Sequence, residues 1–322
     1  FLCMLMLMIG NGLQGTLLGV RGGSEGFNPD IMSVVMAGYY IGILGGSKIA
    51  PLMINRVGHV RVFAALASLI SACFILFPVF PTESIWFLLR VIIGFCFSGV
   101  YVVSESWLND VSTNSNRGKI LSFYLIIQTL GIVLAQIILN FADPNGYSLF
   151  IIASVVLSLS FTPILLSVAP APPFDTTKPM GLRKLYETSP LGVVGLFLLG
   201  AIFGALFGMT AIFGTEMGMS VSQISLFVAL IYFGGMMFQM PIGWISDRMD
   251  RRFLIIILSA LGAFFSILIF IINYNFVIYL IVAFLIGGMT NPLYSLFIAY
   301  TNDFLDHDDM ACLLYTSDAA DD

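Results

Sequence analysis

Ten apolar runs, each long enough to cross a bilayer and separated by short polar turns, leave this 322-residue chain few ways to fold. They lie near residues 1–20, 31–54, 62–80, 85–108, 119–141, 147–168, 191–214, 220–244, 253–272 and 276–300. A helix of about 20 residues spans ~30 Å of hydrocarbon, and backbone polar groups cannot stay unpaired there. The runs are too long for barrel strands, so the pattern predicts an all-α, polytopic membrane helix bundle. Composition points the same way: 59% of residues are hydrophobic, 10% are charged and the mean hydropathy is +1.00. Such values lie far from those of a soluble domain. The formal charge of −5 says little, because seven of the acids fall in Asp303, Asp306, Asp308, Asp309, Asp318, Asp321 and Asp322.

Placement of the basic residues sets an orientation. If the first helix runs outward, the cytoplasmic turns hold Arg56, Arg61, Arg117, Lys119, Lys178, Arg183, Lys184, Arg248, Arg251 and Arg252, and the opposite turns hold Arg21. Lys and Arg are retained on the cytoplasmic side of short loops, so the asymmetry predicts the topology and leaves Lys48 and Arg90 within the membrane. The proline-rich stretch 169–190 is then a cytoplasmic linker between a six-helix bundle at 1–168 and four helices at 191–311. Phe1 sits directly in an apolar run without the basic region or cleavage site of a secretory signal, so a retained first helix is expected, with a preceding tail missing. Residues 312–322 break from everything before them and are expected to be a non-native tail.

The charged turn Gly243-Trp-Ile-Ser-Asp247-Arg248-Met-Asp250-Arg251-Arg252 follows the eighth run, and Pro51-Leu-Met-Ile-Asn55-Arg56-Val-Gly58-His59-Val-Arg61 follows the second. Asn55 and Asp247 stand 192 residues apart, at equivalent places in two halves. The first turn resembles the cytoplasmic signature of the major facilitator superfamily, with Asp250 where Gly is usual. The second is a more degraded copy, with Pro51 for Gly and Asn55 for Asp. Arg90 and Gly94 resemble the superfamily's motif in the fourth helix. The stretches Gly10 to Leu18, Arg56 to Phe63 and Glu105 to Asn109 are similar to the YcaD-like branch of its transporters. The resemblance covers residues 1 to 311 and implies two six-helix halves related by an axis along the membrane normal, the eleventh and twelfth helices missing. It further implies a monomer in a bacterial inner membrane, surrounded by lipid, that takes a small-molecule substrate, with protons as candidate coupling ion, and binds no nucleic acid.

Asp247 ends a helix whose C-terminus is already electronegative, so its carboxylate calls for a nearby cation. A gating motif of Asn55, Arg56, Gly58, Arg61, Gly243, Asp247, Arg248, Arg251 and Arg252 fits that need; the alternative is that these arginines only fix topology. Arg90, Gly94, Ser98, Tyr101 and Glu105 fall at i, i+4, i+8, i+11 and i+15, on one face of the fourth helix. A charge facing lipid is costly, so this face is expected to look into the bundle. Arg90 then binds an anionic group or tunes a nearby acid and Glu105 exchanges a proton, unless Arg90 snorkels outward and Glu105 is interfacial. Asn11, Gln14, Gln128, Gln136, Asn140, Ser225, Tyr232, Gln239, Asn291, Tyr294 and Asn302 either line a solute path or join helices. Lys48 either snorkels or pairs with Glu105. Gly38, Gly42 and Gly46 in the second helix, and Gly200, Gly204 and Gly208 in the seventh, allow close helix contact.

Several functions are disfavoured. Cys3, Cys73, Cys96 and Cys312 form no paired motif, and His59 and His307 fall in or beside turns, so no metal site, cofactor or catalytic base is indicated at membrane depth. No phosphate-binding loop is present, and the chain is expected not to be an enzyme. The fifth helix has Gly131 without a following proline, which departs from the drug/proton antiporter motif. The expectation is a secondary active transporter, symporter or antiporter, working by alternating access. Efflux of amphipathic compounds and a non-transporting membrane sensor are the competing readings.

Overall fold

A computed structural model of the chain describes residues 1–112, 117–166, 182–271 and 275–304. Thirteen α-helices carry these residues: α1 (Leu2–Ser24), α2 (Pro29–Val57), α3 (His59–Val79), α4 (Glu83–Val111), α5 (Arg117–Ile138), α6 (Ser148–Ser160), α7 (Thr162–Leu165), α8 (Leu182–Thr188), α9 (Pro190–Gly208), α10 (Thr210–Glu216), α11 (Val221–Ser246), α12 (Arg251–Ile271) and α13 (Phe276–Asn302). Ten helical segments are long and apolar enough to cross a membrane, matching the ten runs read from the sequence. The seventh run is interrupted: α9 stops at Gly208 and α10 restarts after Met209. Much of the expected linker, up to residue 181, and the tail at 312–322 lie outside the described residues, and residues 182–188 of the linker are helical.

Local signals explain where helices begin. Asn28 precedes Pro29 and accepts from the amide of Asp30 at 2.8 Å, satisfying a donor that the first turn leaves open. Asn275 caps α13 in the same way, accepting from Val277 and Ile278 at 3.1 and 3.3 Å. At the two charged turns the chain solves one problem by two means. Gly58, with φ +86°, occupies a backbone region that disfavours side chains. Asp250 instead caps α12 by accepting from Arg252 N at 2.8 Å. A carboxylate cap replaces the glycine, which accounts for the one departure of the Gly243–Arg252 turn from the expected signature.

The described residues form two compact units. The first contains α1 to α7 together with Gly204–Ser225, and the second contains α8, the rest of α9, α11 from Leu226, α12 and α13. In the first unit Leu7, Leu13, Leu17, Ile70, Phe77, Trp86, Phe97 and Leu157 are fully buried, and α10 packs on α1 where Gly19 meets Ala211. Leu196, Leu199, Leu254, Leu258, Leu293 and Leu296 centre the second core. Outward faces stay apolar, with Phe270 84%, Ile271 74% and Met240 73% exposed. Exposed apolar belts on spans of this length suit a lipid surround.

Within each unit one pair of helices meets backbone to backbone. A Cβ on Gly42 of α2 would overlap the Val91 carbonyl of α4, and one on Gly94 of α4 would overlap the Tyr39 carbonyl of α2. In the second unit Gly234 of α11 faces the Phe284 carbonyl of α13, and Gly287 faces that of Ile231. The spacing from α2 to α11 is 192 residues and from α4 to α13 it is 193, so the two crossings are copies. The glycine run of the second helix therefore makes the close contact it promises. That of the seventh makes ordinary contact: Gly204 and Gly208 meet Tyr40 and Met36 at 3.6 and 3.7 Å.

The substitution Gly94→Val is expected to cost ~3 kcal/mol or more, since a carbonyl of a packed helix is what must shift. Gly243→Ala, with nothing within 4 Å of an added Cβ in helical backbone, is expected to cost nothing and to raise stability by up to about 1 kcal/mol. Thermal unfolding of both variants in detergent checks the contrast.

Candidate functional site

The α4 stripe is built as the sequence spacing predicts, yet its members touch different neighbours because α4 crosses them in turn. Arg90 is 4% exposed, donates from Nη2 to the Met36 carbonyl of α2 at 3.0 Å, and lies 4.7 Å from the centre of the Tyr39 ring. A desolvated cation over an aromatic face is worth about 2 kcal/mol. Its side chain therefore points inward and does not snorkel. Ser98 is buried against Gly46 of α2. Tyr101 turns to α1: its hydroxyl accepts from Asn11 Nδ2 at 3.3 Å and lies 3.6 Å from Met8 Sδ. Glu105 accepts from the Tyr124 hydroxyl of α5 at 3.4 Å. Lys48 is exposed on α2, as a snorkelling stem would be.

Several of the uncharged candidates bridge helices. Gln136 of α5 donates to the Gly12 carbonyl of α1 at 3.2 Å. Asn140, just past α5, accepts from Ser222 at 2.6 Å. Gln239 of α11 donates to Ser295 of α13 at 2.9 Å, and Asn291 packs on Gly235. Gln128, Tyr232 and Tyr294 are half-buried. Gln14 is different: it is 1% exposed, and neither of its amide atoms has a hydrogen-bond partner among the described residues. The Nε of Arg90 is likewise buried without one. Buried polar atoms are normally satisfied, so these atoms, like Arg21 Nε and Gln136 Oε1 in the same unit, have unused bonding capacity.

The Gly243–Arg252 turn ties two helices of the second unit. Arg251 pairs with Asp303 at the end of α13, donates to the Ala299 carbonyl in its last turn at 3.4 Å, and lies 3.8 Å from Asp247. A cation beside the last carbonyls of α13 complements the negative end of that helix. Arg248 folds back over Trp244, 3.9 Å from the ring centre. Arg252, Asn55, Arg56 and Arg61 are exposed. The sequence reading missed Asp303 as the acid of this cluster, and it missed His59, which is not a turn residue in water but a buried one, 1% exposed. The available signal was its place 192 residues before Arg251. Among the described residues no group of acids, histidines and cysteines is arranged to hold a metal ion.

These features define a class: a multi-pass helical membrane protein with a buried charge and duplicated basic turns. The profile of the Major Facilitator Superfamily matches residues 1–313, and the chain belongs to that family. It is 24% identical over 272 residues to the "Uncharacterized MFS-type transporter YfkF" of Bacillus subtilis, covering 82% of this chain and 70% of that one. It is 29% identical over 227 residues to YcaD of Escherichia fergusonii, covering 68% and 58%. With YcaD of Escherichia coli the match is 28% over 255 residues, so the chain spans 65% of that relative's length. Among solved structures, the nucleoside transporter NupG superposes with a TM-score of 0.76 at 12% identity, covering 99% of this chain and 86% of that one. A bacterial homologue of the human lysosomal transporter Spinster, inward-facing and unoccupied, gives 0.73 at 15%, covering 99% and 79%. At such identities the likeness establishes the fold.

Asp247 is 71% exposed, and exposed ion pairs contribute little, so Asp247→Asn is expected to change stability by less than ~0.5 kcal/mol. Arg251→Met removes the bonds to Asp303 and to the Ala299 carbonyl together and is expected to cost about 1–2 kcal/mol. Unfolding midpoints of the two variants in one detergent give the comparison.

Proposed function

We propose that the chain is a secondary active transporter that moves a small polar solute by alternating access between two halves, 1–168 and 191–311, joined by a cytoplasmic linker at 169–190. The supporting observation is Arg90. A permanent charge kept 4% exposed within a membrane span is expensive unless it serves a pathway, and this one spends Nη2 on Met36 while its Nε stays open. An arginine in that position favours a solute bearing a carboxylate, phosphate or other strong acceptor. Gln14 offers both a donor and an acceptor to the same kind of molecule.

Glu105 is the group we assign to proton uptake and release, with the Tyr124 hydroxyl as its hydrogen-bond donor. Transport in this reading is proton-coupled, and the monomer sits in a bacterial plasma membrane with its basic turns in the cytoplasm. Membership of a transporter family and relatives in Bacillus and Escherichia support that reading.

A thermal-shift screen against anionic and neutral metabolites and lipophilic cations tests the assignment, run with wild type and Arg90→Met. An anionic solute at 100 times its Kd is expected to stabilise wild type by ~2.7 kcal/mol and leave the variant unmoved. Equal shifts in both would remove Arg90 from the site. Shifts with lipophilic cations alone would favour efflux of amphipathic compounds.

A further inference from the structure

The segment Gly204–Ser225 packs with the first unit, although the rest of its half, α9 to Phe203 and α11 from Leu226, belongs to the second. Its seat is a glycine stripe on α1. Cβ atoms added at Gly15, Gly19 and Gly23 would meet the Phe207 carbonyl at 3.6 Å, the Ala211 methyl at 2.7 Å and Thr215 Cβ at 3.5 Å. Each of these pairs stands 192 residues apart, the spacing that relates α2 to α11, so the seam joins equivalent positions of the two halves. Ile212 adds its side chain to the first unit's core. Beyond the turn at Gly218, with φ +69°, Ser222 of α11 donates to Asn140 Oδ1 at 2.6 Å.

Both ends of this segment are softened in the same way. The Thr210 hydroxyl donates to the Leu206 carbonyl one turn back, where α9 gives way to α10, and Met209 at the junction has φ −107°. The Ser225 hydroxyl donates to the Val221 carbonyl at 2.8 Å, at the segment's other boundary. A hydroxyl bonded to the carbonyl four residues back competes with the helical ladder and bends it. The equivalent helix of the first half, α1, runs unbroken from Leu2 to Ser24, with Leu18 at the place of Thr210. We propose that residues 209–225 are a lid, hinged at Thr210 and Ser225, seated on the glycine stripe of α1 and latched by Ser222 to Asn140. With hinges in the second half alone, the lid lifts from α1 as a local element while the cores around Leu17 and Leu258 stay packed. The stripe offers a close-fitting seat with no side chain of α1 to interlock, so the hydrogen bond at Asn140 governs how long the lid stays down. This rests on the alternating-access reading, in which the lid is the gate at the end opposite the basic turns.

The purified chain, with its native cysteines replaced by alanine, tests this without knowledge of the solute. Gly23→Cys combined with Thr215→Cys sets two Cβ atoms 3.5 Å apart, within disulfide range, so mild oxidation is expected to link them and reduction to release them. Failure to link would overturn the seat. Ile212→Cys, at a site 6% exposed beneath the lid, reports lifting through its maleimide labelling rate, and Ile54→Cys, 2% exposed at the basic end of α2, reports on the other end of the unit. Ser222→Ala is expected to raise labelling at position 212 severalfold and Thr210→Val to lower it severalfold, with labelling at position 54 unchanged in both. A rate at position 212 that neither variant moves would overturn latch and hinge together. Opposite changes at positions 212 and 54 would replace the lid by movement of whole halves and leave alternating access standing. Conversely, a thermal-shift screen in which no solute moves the protein would count against the transport reading while the labelling contrast still decides the lid. Should Ile212→Cys fail to fold, the cross-link decides alone, forming faster with Thr210→Val and more slowly with Ser222→Ala.

Discussion

The packing of each unit rests on a contact that has no side chain in it. Where α2 crosses α4, glycines on both helices let a carbonyl of one lie against the backbone of the other, and α11 repeats this with α13. Between helices in lipid there is little hydrophobic drive, so association depends on such close approach and on polar bridges. The bridges follow the crossings: Arg90 to Met36 beside the first, and Gln239 to Ser295 beside the second. A bulky residue at Gly94 or Gly287 would push the helices apart and undo the bridges along with the contact.

Charge is handled at two depths. At the basic ends, Arg251 is satisfied by an acid, by a helix's terminal carbonyl and, more distantly, by Asp247, so removing a single exposed partner matters little. In the apolar interior, Arg90 is held by the Met36 carbonyl and the Tyr39 aromatic face, with no ion pair to an acid among the described residues. That difference is what the proposal of Arg90 as the solute-binding arginine draws on.

Helix number and extent were legible in the sequence because apolar length alone decides them in a membrane. So was the importance of Gly42 and Gly46, spaced at a full helical turn. Gly234 and Gly287 were not, since an isolated glycine gives no sign of which helix will approach it. The α4 stripe was read correctly as one face, but not its partners, because a helix that crosses its neighbours at an angle presents the same face to α2, then α1, then α5. His59 was misjudged through its setting among turn residues; burial depends on α4 lying over the start of α3, which local sequence does not state. The break after Gly208 was also invisible in a run that is apolar throughout.

The two spacings, 192 between α2 and α11 and 193 between α4 and α13, locate where the duplicated halves differ in length. Val79 and Ile271, which end α3 and α12, keep the shorter spacing, whereas Glu83 and Phe276, which begin α4 and α13, already have the longer one. The extra residue is thus confined to the connection between these helices. Inserted within α13, it would rotate everything beyond it by about 100°, turning Gly287 away from Ile231 and the Ala299 end away from Arg251. An alignment of the two halves should place its gap between Val79 and Glu83 on one side and Ile271 and Phe276 on the other.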